Sequence, residues 1–133
     1  KQRPVMVHRA ILGSVERFMA VAIEHFAGAF PMWLAPEQIR IVPVSDDFIE
    51  KAKELQKELQ MVDLRAEVDS SKEGVGKKIR NAAMMKIPWT VVVGEKEVAG
   101  APYRINVYGS SEELTIEQSD FVKEAIKAAE LPK

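Results

Sequence analysis

Trp89-Thr90-Val91-Val92-Val93-Gly94-Glu95-Lys96-Glu97-Val98 opens with five residues that favour extended chain and closes in a charged segment led by glycine. Aromatic and β-branched side chains fit a pleated, half-buried surface, so Trp89 to Val93 reads as the clearest strand of the chain, with Gly94 to Val98 as the turn after it. Pro88, just upstream, cannot continue a helix and stops the segment before it. That segment carries Val75, Ile79, Ala82 and Ala83 at helical spacing and is entered from the flexible stretch Ser70-Ser71-Lys72-Glu73-Gly74. Gly74 and Gly76 ahead of Lys77 invite a phosphate-loop reading. It fails, because the motif requires Gly, four residues, then Gly-Lys-Ser/Thr, and Ser71 and Lys78 hold the outer positions. The amides at this helix start remain open to an RNA phosphate.

Further upstream, Leu64 to Val68 reads as a short strand. Before it lies a helix with Phe48, Ala52, Leu55 and Leu59 on one face, Ser45 as N-cap and Asp46 and Asp47 in its first turn. Its charged side offers i,i+3 pairs (Glu50 with Lys53, Lys51 with Glu54, Glu54 with Lys57) set against like-charged i,i+4 neighbours. Each pair is worth roughly a few tenths of a kcal/mol, so they largely cancel and the apolar face settles the assignment. Ile39 to Val44 is another β-branched strand, with Pro43 near its end. Downstream, Tyr103 to Tyr108 alternates as a strand. Thr115 with Gln118 has the spacing of a capping box, opening a last helix that buries Phe121, Val122, Ala125, Ile126 and Ala129. The order β-α-β-α-β-β-α predicts an α/β fold, a mixed β-sheet of about five strands covered by three helices.

Pro31 and Pro36 flank Met32-Trp33-Leu34-Ala35 and suggest a junction between two domains, residues 1–34 and 35–133. Ahead of it, Pro4-Val5-Met6-Val7-His8-Arg9-Ala10-Ile11-Leu12-Gly13-Ser14-Val15-Glu16-Arg17-Phe18 reads as strand, turn and helix. Gly13 admits close approach of a ligand or another backbone, Ser14 is a good N-cap, and Arg17 places a cation in the first turn, where the helix dipole disfavours it. Spacing alone leaves two readings, a buried strand-helix corner with a surface arginine or a ligand-facing turn.

The 133 residues fit one compact domain and an appendage, and a hydrophobic content of 47% supplies a core. The longest candidate for a membrane span, Phe18 to Ile23, is cut off by Glu24 and is far short of the roughly 20 residues a span needs. Zero cysteines exclude disulfides and fit a reducing, cytoplasmic setting, and no signal peptide precedes the first pattern. Residues 1–34 hold four Lys/Arg and two Asp/Glu, a net of +2; residues 35–133 hold 15 and 18, a net of -3. Bulk-charge binding of nucleic acid needs a strongly basic domain, so any RNA contact here must be local to particular nucleotides.

The Pro4 to Phe18 stretch resembles the third signature motif of class II aminoacyl-tRNA synthetases, and His8-Arg9-Ala10-Ile11-Leu12-Gly13-Ser14-Val15-Glu16-Arg17 is similar in wording to the threonyl members. Gly74-Val75-Gly76-Lys77-Lys78-Ile79-Arg80 and the Trp89 to Val98 stretch resemble the anticodon-binding domain of the threonyl, prolyl, histidyl and glycyl enzymes. The resemblance implies the C-terminal part of a longer ligase, a cytoplasmic homodimer when intact, that activates threonine with ATP and Mg2+ and transfers it to tRNA(Thr). It implies that Arg17 lies on the adenine of ATP and near its terminal phosphate, beside Gly13, Ser14 and Glu16, and that His8 is one of three ligands of a Zn2+ that holds threonine. A guanidinium stacked on a base is sound chemistry, and a metal-bound hydroxyl rejects valine as an apolar pocket could not. With one other histidine and no cysteine, this chain is not expected to build the zinc site, and without the first two motifs it is expected to be inactive, cofactor-free and monomeric by itself.

For the second domain the resemblance implies an anticodon stem-loop read by Lys72, Arg80 and Glu97, and by the strand residue at Asn106, where the family carries arginine. Lys72 and Gly74 stand where many threonyl enzymes place asparagine and lysine. Arg104 shares a strand face with Asn106 and could take the arginine's part, and Tyr108 on that face could stack on a base. Lys72, Lys77, Lys78, Arg80 and Lys86 also read as an ordinary solvated helix face. Two other functions remain, a regulatory RNA-binding paralogue that does not charge tRNA and a protein-interaction domain using Trp33 and Trp89. Residues 1–34, lacking a sheet to pack on, are expected to be partly disordered or to associate through exposed apolar surface.

Overall fold

The computed structural model describes residues 2–132. Its elements are α1 (Val15–Phe26), β1 (Ile39–Pro43), α2 (Ile49–Gln60), β2 (Ala66–Val68), α3 (Val75–Met84), β3 (Trp89–Val93), α4 (Glu95–Val98), β4 (Tyr103–Val107), β5 (Glu113–Ile116) and α5 (Gln118–Ala128). The strands form one sheet in the order β2-β1-β3-β4-β5. β1 runs parallel to β2 and β3, while β4 and β5 are antiparallel additions. The α/β class and the mixed five-stranded sheet are as the sequence predicts.

Strand alternation sends odd and even residues to opposite faces. Ile39, Ile41, Val91, Val93, Tyr103 and Ile105 form one core cluster with Ala52, Leu55 and Leu59 of α2 and with Phe121 and Ala125 of α5. Phe121 is fully buried and sits edge-on to Tyr103, with ring centroids 5.0 Å apart. The other face carries Arg40, Val42, Thr90, Val92, Arg104 and Asn106, and α3 covers its parallel half only. The antiparallel half stays open on this face.

Several expectations are corrected. Val5 to Val7 is not a strand: with no neighbouring strand to pair with, the segment has no regular structure, and Val5 is 91% exposed. Gly94 to Val98 is a turn of helix rather than a plain turn, and a Cβ at Gly94 would stand 2.9 Å from Val44 Cγ2, so any larger residue there has to displace that side chain. Thr115 does not cap α5; it lies in β5, paired with Arg104, and the helix begins after Glu117. β5 itself escapes a pattern search because only Ile116 of its four residues is buried. Ala83 and Ile126 are exposed where burial was expected, and Lys78 is buried instead. Ser45 precedes a short 3-10 turn and gives its hydroxyl to Asp47 rather than accepting from a helix amide. The Glu50–Lys53 and Lys51–Glu54 pairs form, at 3.0 and 3.1 Å.

Candidate nucleic-acid interface

α3 divides its face of the sheet into two grooves of opposite character. On the β2 side is a cavity of about 660 Å³ whose lining holds Glu37, Glu67, Asp69 and Glu73 around one guanidinium, that of Arg40. Arg40 is already engaged, its Nε and Nη2 donating to the two carboxylate oxygens of Glu37 at 2.7 and 2.6 Å. That bond, more than the Coulombic attraction and against the cost of burial, holds the guanidinium proton even more firmly than usual. Burial works against ionisation of Asp69, but the hydroxyl and amide of Ser71 donate to it at 2.6 and 3.0 Å, and the charges of Lys78 and Arg40 add to them. Its carboxyl is thereby held below the ordinary range. A phosphate approaching this groove meets net negative charge.

On the β4 side the groove is neutral. Ile79 and Ala83 of α3 and Ile87 form an apolar wall, Thr90 and Asn106 the floor, and Tyr108 and Ser110 the rim of a cavity of about 250 Å³. Further along β4 a second cavity, about 230 Å³, is lined by Lys96, Glu97, Arg104 and Thr115. Glu97 is only 4% exposed, yet one carboxylate oxygen accepts from the Gly94 amide at 3.0 Å and the other lies 3.7 Å from Arg104 Nε. Gln118 closes the back of this turn by donating to the Glu97 and Ala101 carbonyls. The result is a fixed carboxylate acceptor flanked by two cations, beside an uncharged slot with an amide and an aromatic rim. Such a surface can accept base N–H groups, stack a ring and touch phosphate.

Of the residues the sequence pointed to, the structure brings Glu97 together with Arg104, and Asn106 together with Tyr108, along one face of β4. Lys72 and Arg80 are exposed on the α3 side and line neither of these two cavities. The loop bearing Lys72 is nevertheless anchored: Lys78 Nζ donates to the Asp69 carbonyl at 3.1 Å, Lys77 pairs with Glu73 at 2.6 Å, and Asn81 donates to Glu73 at 2.9 Å. Lys78, read from sequence as part of a solvated face, is 6% exposed. Its spacing from Val75 and Ala82 put it in the apolar stripe, the one signal that could have exposed its role.

The remaining candidates lie at the start of α1. Ser14 caps the helix as its sequence suggests, accepting from the Arg17 amide at 3.1 Å, and Gly13 takes a left-handed φ of +66°. His8, Gly13, Ser14, Glu16 and Arg17 are all exposed. Among the described residues no three His, Cys, Asp or Glu side chains come together to hold a metal. The cavity beside α1, about 290 Å³ between Phe18, Ile23, Phe30 and Leu34, is apolar and unsuited to nucleotide phosphates. Among the described residues these candidate side chains are thus not gathered around a common point. No helix among the described residues is long and apolar enough to cross a membrane.

Comparison with known proteins agrees with this geometry. Residues 38–128 match the family model described as an anticodon binding domain. The chain is 57% identical over 97 residues to the threonine–tRNA ligase of Gloeobacter violaceus, covering 73% of this chain and 16% of that protein. It is 47% identical over 132 residues to the corresponding ligase of Anaeromyxobacter dehalogenans, covering 99% of this chain and 20% of that protein. Among solved structures, the RNA binding domain of threonyl-tRNA synthetase from Cryptosporidium parvum superposes with a TM-score of 0.80 at 30% identity, covering 91% of this chain and 30% of that one. The chain thus spans about a fifth or less of the length of these curated relatives. With the sheet, the β4 face and the family match in agreement, the chain belongs to the anticodon-binding domain family, as a homologue of the segment found in threonyl-tRNA synthetases.

Proposed function

We propose that residues 35–133 bind the anticodon loop of tRNA(Thr) on the open face of β4, with Glu97 and Asn106 meeting base edges, Tyr108 stacking on a base, and Lys72, Arg80 and Arg104 meeting phosphates or base edges. The observation that carries this reading is the contrast between the two grooves beside α3, one ringed by carboxylates and one neutral with convergent polar groups. Splayed single-stranded bases need a neutral, partly apolar slot, and their phosphates avoid the acidic side. Residues 1–34 belong, on this reading, to the end of a ligase catalytic domain. In the longer protein, a cytoplasmic homodimer, Arg17, Gly13, Ser14 and Glu16 serve the ATP site and His8 one position of a zinc site that selects threonine.

The test is an NMR titration of the labelled chain with a threonine-tRNA anticodon stem-loop, beside one altered at the second and third anticodon bases. Shifts at Glu97, Arg104, Asn106, Tyr108 and along α3 that appear with the native loop alone are expected. Equal shifts with both loops would remove base reading from this face, and none at low salt would remove RNA binding altogether.

A further inference from the structure

The passage from α1 to β1 reads in sequence as a proline-bounded linker, and the structure shows it bound along its length. Four of its main-chain carbonyls accept from three side chains of the sheet domain. Lys86, just past the end of α3, donates through Nζ to the Ala27 carbonyl at the C-terminus of α1. Gln38 Nε2 donates to the Met32 carbonyl at 2.8 Å, and Arg65 donates to the Trp33 and Ala35 carbonyls at 3.0 and 2.9 Å. Gln38 is 2% exposed and uses both ends of its amide, its oxygen accepting from the Arg65 amide at 2.8 Å. Met32 and Ala35 are buried between these bonds.

The chemistry of each contact is directional. A cation at the last carbonyls of α1 meets the negative end of the helix dipole. A guanidinium donating to two carbonyls two residues apart fixes the path of the chain as well as its distance, because its donors form a rigid fork. Lys86 and Ala27 both sit at positive φ, 57° and 49°, so the two chain reversals face one another across the contact.

We propose that Lys86, Arg65 and Gln38 form a clamp that makes α1 and the sheet domain a single rigid body. Lys86 and Arg65 are its positioning residues. What α1 carries at its start is then held at a set distance from the β4 face, which a flexible linker could not do. The clamp requires no bound RNA.

Residual dipolar couplings of backbone amides in the full 133-residue chain test it directly. Couplings from α1 and from β1, β3 and β4 should fit one alignment frame in the unaltered chain, and equally in a Lys53→Met control on the solvated side of α2. In the Lys86→Met/Arg65→Met double variant, the α1 couplings should collapse toward zero while those of the sheet persist and report that the domain is still folded. If the double variant fails to fold, Lys86→Met alone should reduce the α1 couplings in part. Two separate frames in the unaltered chain, or one common frame retained in a folded variant, would overturn the clamp.

Discussion

Glu97 and Tyr103 show how single side chains on neighbouring elements carry different duties. Glu97 is a buried carboxylate satisfied by the Gly94 amide at 3.0 Å, and its partner Arg104 is 54% exposed at 3.7 Å, so the ion pair contributes about 0–1 kcal/mol to stability. Glu97→Gln keeps an acceptor for Gly94 and should leave the unfolding midpoint nearly unchanged. It replaces an acceptor-only group with one that also donates, so discrimination between the native and the altered anticodon loop should fall by about 1–3 kcal/mol, measured as the ratio of their dissociation constants. An unchanged ratio would take Glu97 out of base reading. Tyr103 behaves differently: burial, with Glu58 and Glu97 adding to it, raises its phenol above the ordinary value of about 10. The folded state therefore keeps the proton longer than the unfolded state. The resulting stability is complete below about pH 10 and is lost as pH rises through that value toward the raised one. Chemical denaturation between pH 9 and about 11 should show this loss in the unaltered chain and a smaller one in Tyr103→Phe.

Among the elements, α3 joins the architecture to the candidate site; the sequence marks it as a helix but misplaces one of its buried side chains. Lys78 is 94% buried by complement of its 6% exposure, and its ammonium holds the Asp69 carbonyl rather than solvent. Lys78→Met keeps the apolar stem and removes one hydrogen bond, so stability should change by about 1 kcal/mol while the Ser71 and Lys72 amides exchange faster. Hydrogen exchange at those two amides, unchanged against the parent, would show that the Glu73 contacts with Lys77 and Asn81 are sufficient to hold the loop. The strands β1, β3 and β4 and the helix α2 were legible because long apolar periods leave one arrangement for each. Lys78 was not, because the pattern was read by residue type and a lysine was assigned to water although its position lay in the buried stripe. β5 was invisible for the opposite reason: an edge strand with only Ile116 buried among its four residues has no period to detect, and Thr115 within it imitated a helix cap. At the site, the family resemblance pointed to Glu97 and Asn106 and strand alternation added Arg104 and Tyr108 to the face of Asn106, while the contact of Glu97 with Arg104 emerged only from the fold. The acidic groove was not legible, since Glu37 ahead of β1 and Asp69 and Glu73 in the loop after β2 are far apart in sequence and only the fold assembles them.

At the scale of the whole molecule, charge sets the terms on which RNA can be held. The chain carries 19 Lys/Arg against 20 Asp/Glu, and one side of α3 repels phosphate outright. Affinity gained by releasing condensed counterions must then come from few cations, and the proposed interface uses three of them, the exposed Lys72 and Arg80 on the α3 side and Arg104 beside Glu97. For a single strand, the logarithm of the binding constant falls with the logarithm of salt at about 0.7 per phosphate neutralised, so three contacts give a slope of about -2. A basic RNA-binding surface making 6–10 contacts would give about -4 to -7 on the same scale. Fluorescence anisotropy of a labelled anticodon stem-loop from low to physiological salt should return the shallow slope. Arg80→Gln should flatten it by about 0.7, and Asn106→Ala should lower affinity at every salt concentration while leaving the slope alone. A slope beyond about -4 would mean that the loop lies on a basic surface other than the β4 face, and would sink the assignment of the neutral groove.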